Sequence, residues 1–259
     1  MAPPQIALTR FMIHIFVLSI YIYLYIPKED WIARPSWPLI LRGILASLGT
    51  ICVYAGLAVL PLVDAVAIFF LTPIIITSLS AIILREKVDI YRWSAVFAGM
   101  TGALLVIGPN FENIGWSAIF PALAALFHGT ATLITRKWAN IARLPIFQYY
   151  IAVTAVIIMG LIIIIGDLIG YDNVAPVVPN NFHWFLLGVI AFGSIATNLL
   201  LTQSFRIAPS SVIAPFLYLQ IIGSTIMGLI IFNHLPSKQT AFGAFLVISA
   251  GLLIWWREK

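Results

Sequence analysis

The chain has 259 residues, of which 62% are apolar and 9% charged, with a formal net charge of +5 and a mean hydropathy of +1.06. Soluble domains average about 45–50% apolar and roughly 25% charged residues, so a water-soluble fold is excluded and the solvent must be lipid. The positive balance then reads as loop cations on one side of a bilayer, and no nucleic-acid partner is expected.

A spanning helix needs about 20 mostly apolar residues. Nine such runs follow one another, at 5–26, 38–60, 63–84, 90–108, 114–135, 146–170, 183–203, 209–232 and 238–256. They are apolar on every face, unlike the alternating strands of a barrel. Short turns separate them, such as Pro27-Lys28-Glu29-Asp30, Arg85-Glu86-Lys87, Pro109-Asn110 and Arg136-Lys137. The longest loop, Tyr171 to Phe182, carries Pro176 and Pro179 and is expected to be irregular. Small residues recur inside the runs, as in Gly99-Met100-Thr101-Gly102-Ala103 and Ser249-Ala250-Gly251. They let helix backbones approach closely where apolar collapse gives no driving force. The expected fold class is all-α integral membrane, a polytopic helix bundle forming a single transmembrane domain over residues 1–259.

Taking loops on alternate sides, one side carries Lys28, Arg34, Arg85, Lys87, Arg92, Arg136, Lys137, Arg143, Arg206, Arg257 and Lys259, and the other only Lys238. The cation-rich side is expected to be cytoplasmic, with the C-terminus there; Glu86 and Arg143 then face inward, and Asn113 and Asp172 outward.

The stretch from Asp64 to Leu105 resembles that from Ser211 to Leu252. Each holds a long apolar run, a polar turn and a second run with a Gly-rich end. The first turn, Arg85 to Arg92, lies on the cation-rich side, and the second, Asn233 to Lys238, on the other. Equivalent turns on opposite sides predict two inverted repeats, over approximately 1–110 and 111–259. Inverted repeats are a recurrent plan of secondary transporters, with substrate near the midplane.

Leu60-Pro61-Leu62-Val63-Asp64-Ala65, Thr72-Pro73, Arg85-Glu86-Lys87, Arg92-Trp93 and Gly99-Met100-Thr101-Gly102 together resemble the signature of the EamA-type drug/metabolite transporter superfamily. The second half is similar, in Ala214-Pro215-Phe216-Leu217-Tyr218-Leu219-Gln220, Phe232 to Pro236 and Gly243. Residues Arg34 to Pro109 look closest to the branch containing S-adenosylmethionine uptake transporters, although Leu217 and Gln220 stand where related members often carry Arg and Glu. The resemblance implies secondary transport without ATP hydrolysis, a small-molecule metabolite as partner, a bacterial inner membrane, and one helix more than the runs counted above. Export of residue 1 has no evident signal, and the first half-repeat is one run short. The expectation is therefore that a further span lies upstream of Met1.

Polar groups inside spans are candidate cavity residues by default. They are Arg10 and His14 on one face of the first run, Tyr54, His128 with Thr132 one turn later, Asn198, and Tyr218 and Gln220 after the helix-loosening Pro215. Each also has a bland reading: Arg10 as an interfacial residue snorkelling to headgroups, the others as hydrogen-bonded packing. No Asp or Glu occupies the centre of a run, which points to an anionic, zwitterionic or neutral polar substrate rather than a lipophilic cation. Coupling to a proton carried by histidine and simple facilitated diffusion fit equally. The rival classes are a structural or receptor-like membrane protein and an intramembrane enzyme. Asp167 and Asp172 lie together at one helix end rather than on facing helices, and no nucleophile, metal or phosphate-loop motif occurs. No cofactor is expected, and lone Cys52 builds neither a disulfide nor a metal site.

Overall fold

A computed structural model describes residues 3–108, 115–168, 177–232 and 238–257. The turns expected around Pro109-Asn110, at Asn113, at Tyr171–Asp172 and from Asn233 to Ser237 lie outside the described residues. Among those described, every regular element is helical: α1 (Pro3–Tyr25), α2 (Trp37–Val59), α3 (Leu62–Phe69), α4 (Thr72–Ile83), α5 (Ile90–Ile107), α6 (Ile119–Lys137), α7 (Leu144–Leu168), α8 (Asn181–Ile207), α9 (Ser210–Ile213), α10 (Gln220–Phe232) and α11 (Lys238–Arg257). Among the described residues, eight helical stretches are long and apolar enough to cross a membrane, and a shorter apolar helix covers Ala241–Trp256. Large apolar side chains face outward along them, such as Leu168 at 79% exposure and Ile82 at 73%. In water that surface would be untenable; in lipid it is the expected outer face. The chain is an integral, multi-pass membrane protein.

Two of the expected runs are not continuous helices. The run at 63–84 divides into α3 and α4 because Pro73, at the start of α4, has no N–H to offer the Phe69 carbonyl. Thr72 Oγ1 donates to that carbonyl instead, at 2.6 Å. The run at 209–232 divides into α9, a tighter 3-10 turn over Ala214–Leu219 with Pro215 in its first turn, and α10. The run at 183–203 in turn extends to Ile207, which places Arg206 in the last turn of α8.

The chain forms two compact units, with boundaries inside α2 and α6. Unit 1 comprises residues 1–54 and 134–207, and unit 2 residues 55–133 and 208–259. In unit 1, α1 lies against α7 through Phe11, Ile151, Ala152 and Ala155, and through Leu18, Ile22, Ile26 and Ile146. In unit 2, α5 packs against α11 around Ala95, Ala250 and Ile254. A second cluster joins Phe70, Ala103, Tyr218, Ile221 and Val247. The two stretches that resemble each other in sequence both fold here, each as a broken span followed by a continuous helix.

One end of unit 2 is tied by a charged clip. α4 closes where Arg85 takes a left-handed conformation, φ 54°, a geometry that costs a non-glycine residue about 1–2 kcal/mol. That turn directs the next side chain, Glu86, onto the start of α9. Its carboxylate accepts from the Ser210 and Ser211 N–H groups at 3.0 and 3.1 Å and from the Ser211 hydroxyl at 3.0 Å. Arg92 donates to the Ser211 Oγ at 3.0 Å and to the Lys87 carbonyl at 2.8 Å. Hydrogen bonds to a charged group each contribute about 1.5–3 kcal/mol. Glu86→Ala is therefore expected to lower the melting temperature of the detergent-purified protein by several degrees, with Glu86→Gln intermediate, as read by tryptophan fluorescence. An unchanged melting temperature in Glu86→Ala would reduce the clip to a surface contact.

Candidate functional site

The polar residues singled out above fall into two groups, one in each unit. Unit 1 holds Arg10, His14, Tyr54 and Asn198. His14 is 3% exposed at mid-length of α1, with Nε2 2.8 Å from the Ser194 hydroxyl oxygen and its ring edge-on to Phe11 at 5.4 Å. The Ser194 hydroxyl also lies within donating distance of the Ala191 carbonyl, at 3.0 Å. Which of His14 Nε2 and the Ser194 hydroxyl donates is set by the imidazole tautomer. Arg10 lies over the Phe11 ring, 4.6 Å from its centroid, and its Nε is sealed from solvent without a hydrogen-bond partner. Tyr54 is half-buried.

Asn198 stands one turn beyond Ser194 on α8, and Thr202 and Arg206 follow at the same spacing. Residues four apart share a helix face, so these four side chains form one polar stripe along α8. Buried Gln148 of α7 uses both amide hydrogens on it, at 2.9 Å to the Asn198 carbonyl and 2.6 Å to Thr202 Oγ1. Arg42 of α2 reaches the same place, donating through Nε to Thr135 Oγ1 and through Nη2 to Thr202 Oγ1 at 3.3 Å. Arg42 Nη1 is sealed and has no partner. The Arg42 and Arg206 guanidinium carbons lie 5.8 and 4.7 Å from the centroid of the Phe147 ring. Arg206 also donates to the Ala142 carbonyl through Nη2, while its Nε is sealed without a partner. The α8 C-terminus is capped by Arg136, whose Nη1 donates to the Arg206 carbonyl at 2.7 Å.

Beyond Arg206 a cavity of about 520 Å³ opens among Glu29, Asp30, Arg34, Asn140 and Arg143. Asp30 there accepts from Arg143 Nε at 2.7 Å, an exposed pair of the kind worth about 0–1 kcal/mol.

Unit 2 holds His128, Thr132, Tyr218 and Gln220. His128 is half-buried and meets Phe69 edge-on at 5.5 Å. The Thr132 hydroxyl donates to the His128 carbonyl at 2.9 Å, so it serves the helix itself. Tyr218 is fully buried in the apolar cluster with Phe70 and Ala103. Its hydroxyl donates to the Phe70 carbonyl at 3.2 Å, at the break between α3 and α4. One broken span thus supplies the donor that closes the other. Beside these breaks lies a cavity of about 510 Å³, lined by Leu62, Val66, Phe69, Phe70, Val106, Ile107, Gln220, Ile221 and Ser224. Small-molecule sites occupy about 300–1,000 Å³ with mostly apolar walls and few polar groups. Ser224 returns its hydroxyl to the Ile221 carbonyl at 2.8 Å, which leaves the exposed Gln220 amide as the wall's main polar feature.

Sequence reasoning missed Arg42, Gln148 and Thr202. Arg42 stood inside an apolar run and belonged to no loop count. The fourfold spacing of Ser194, Asn198, Thr202 and Arg206 was the available signal.

Comparison with known proteins supplies the remaining observations. Residues 1–108 match the EamA-like transporter family. A riboflavin transporter of Rhizobium johnstonii is 29% identical over 222 residues, covering 86% of this chain and 71% of that protein. An S-adenosylmethionine uptake transporter of Rickettsia prowazekii is 26% identical over 256 residues, covering 98% of this chain and 83% of the relative. A pseudopaline exporter of Pseudomonas aeruginosa is 24% identical, covering 88% of this chain and 78% of its own length. A protein known from a crystal structure superposes with a TM-score of 0.84, covering 99% of this chain and 89% of the other at 14% identity, which speaks to the fold alone.

Proposed function

We propose, from the EamA-like transporter domain that this chain carries, that it moves a small polar organic metabolite across the membrane by alternating access, without ATP hydrolysis. The observation that carries this reading is the pair of broken spans in unit 2, closed on each other by Tyr218 and flanked by a cavity of metabolite size. Discontinuous helices free backbone groups at membrane depth, and transporters use such breaks where a substrate binds. Phe69 and Phe70 offer a face for the apolar or aromatic part of a substrate, and Gln220 a hydrogen bond for its polar part. His128 supports the wall through Phe69. The relatives named for riboflavin and S-adenosylmethionine make these two compounds the first to test. No catalytic step belongs to this reading.

The surplus of cations in the loops and helix ends around Lys28, Arg85, Arg136 and Arg206 favours placing that side, with the C-terminus, in the cytoplasm of a bacterial inner membrane. The inverted half-repeats over approximately 1–110 and 111–259 belong to the same reading.

Counterflow in proteoliposomes tests it. Vesicles preloaded with unlabelled riboflavin or S-adenosylmethionine are expected to accumulate the labelled compound transiently, and Gln220→Leu to reduce that uptake by at least about tenfold, a transition-state loss near 1.4 kcal/mol. A cysteine replacing Glu86, on a Cys52→Ser background, is expected to resist impermeant maleimide in intact cells. If no metabolite in a broad panel exchanges, the transport reading falls; labelling at position 86 from outside would reverse the orientation.

A further inference from the structure

Unit 1 contains a polar arrangement that the cavity of unit 2 does not use. Arg42 is half-buried as a residue, but its Nη1 is sealed from solvent without a partner. A guanidinium stays charged at any physiological pH, so this cation cannot escape by losing its proton. Its two engaged nitrogens meet only neutral hydroxyls, those of Thr135 and Thr202. Among the described residues no carboxylate pairs with it.

Arg206, over the same Phe147 ring, has a sealed and unpartnered Nε of its own. The two arginines are fixed by different helices, α2 and α8, and Gln148 holds Thr202, the hydroxyl that orients Arg42. Arg206 also lines the cavity of about 520 Å³, whose cations Arg34, Arg143 and Arg206 outnumber Glu29 and Asp30. Arg143 already engages Asp30.

An uncompensated guanidinium that shares the Phe147 ring with an arginine lining a cation-rich cavity is half of an ion pair. We infer that Arg42 and Arg206 form a binding site for the carboxylate of a small organic acid, which enters through the cavity beside Arg206. The planar fork of a guanidinium matches a carboxylate side-on. A carboxylate, with one charge, is also easier to strip of water than phosphate, which carries nearly two at neutral pH. The site belongs to unit 1 and shares no residue with the cavity at the broken spans of unit 2, so it stands whether or not that cavity transports its substrate.

Thermal unfolding of the purified full chain, at constant ionic strength and with glutarate as the probe, tests this. Glutarate is expected to raise the melting temperature in a saturable way, and its neutral analogue glutaramide to leave it unchanged. Arg42→Gln should weaken glutarate binding by at least about tenfold, as read from the concentration that gives half the shift. Arg42→Met provides a second readout. It removes an uncompensated charge while keeping an unbranched side chain, so the ligand-free protein should melt higher and lose its response to glutarate. A purely structural arginine would behave the opposite way, with Arg42→Met melting lower. That outcome overturns the site, as does equal protection of wild type and Arg42→Gln by glutarate, or no protection of wild type at all. Inorganic phosphate is the remaining arm: Arg42-dependent protection stronger than that of glutarate would overturn the carboxylate assignment.

Discussion

Gly102→Val and Gly243→Val are each expected to leave no folded, monodisperse protein after extraction, and the alanine variants to fold with a clearly lower melting temperature. The cause is the closeness of α5 and α11. A Cβ on Gly102 would meet the Gly243 carbonyl oxygen at 2.6 Å, and one on Gly243 would meet the Gly102 carbonyl oxygen at the same distance. Both obstacles are backbone, so no rotamer change relieves them. Helices in lipid associate through this kind of close packing, since lipid leaves no hydrophobic force between them. Overpacking costs about 1–3 kcal/mol for a methyl group, only partly offset by the helix preference of alanine, about 1 kcal/mol over glycine. Gly188 and Gly193 are the controls. A Cβ at either meets nothing within 4 Å, so Gly188→Ala and Gly193→Ala should melt at or above the wild-type temperature. Size-exclusion chromatography and thermal unfolding in detergent read both sets. Wild-type melting in Gly102→Ala and Gly243→Ala would mean the two helices separate at no penalty.

Pro73→Ala is expected to reduce transport by at least about tenfold in a protein that still folds. The substitution returns an N–H that can bond the Phe69 carbonyl, and a proline inside a helix costs about 3 kcal/mol relative to alanine. The α3–α4 break then loses its covalent cause. Thr72 is displaced from the Phe69 carbonyl, and Tyr218 from that of Phe70. Tyr218→Phe is the partner measurement, removing the hydroxyl but keeping the ring and its packing against Phe70. It should lower stability by about 1 kcal/mol, the usual contribution of one hydrogen bond. If Pro73→Ala transports at the wild-type rate in the counterflow assay, the break is a packing detail rather than part of the mechanism.

Transmembrane character and the positions of the spans were legible from residue order, because a bilayer imposes one dominant constraint. A run of about 20 apolar residues has few other places to go. Pro215 was plain too, as a residue that loosens its run, whereas the run at 63–84 was expected as one span and its division at Thr72-Pro73 emerged only in the structure. The weight of each polar residue was not legible. Tyr218 and Gln220 are two positions apart and looked alike as candidates, yet Tyr218 is fully buried with its hydroxyl on the Phe70 carbonyl, while Gln220 lines a cavity. Thr132 turned back to its own helix. Arg42 is the clearest case. Along the chain it is one cation in an apolar run. Its meaning depends on Thr135, Gln148, Thr202 and Arg206, which come from three other helices. Backbone periodicity and turn chemistry act over a few neighbouring residues, so the sequence alone determined where the spans lie. Whether a buried polar group finds a partner depends on distances between helices remote in sequence, and only the tertiary structure decided that.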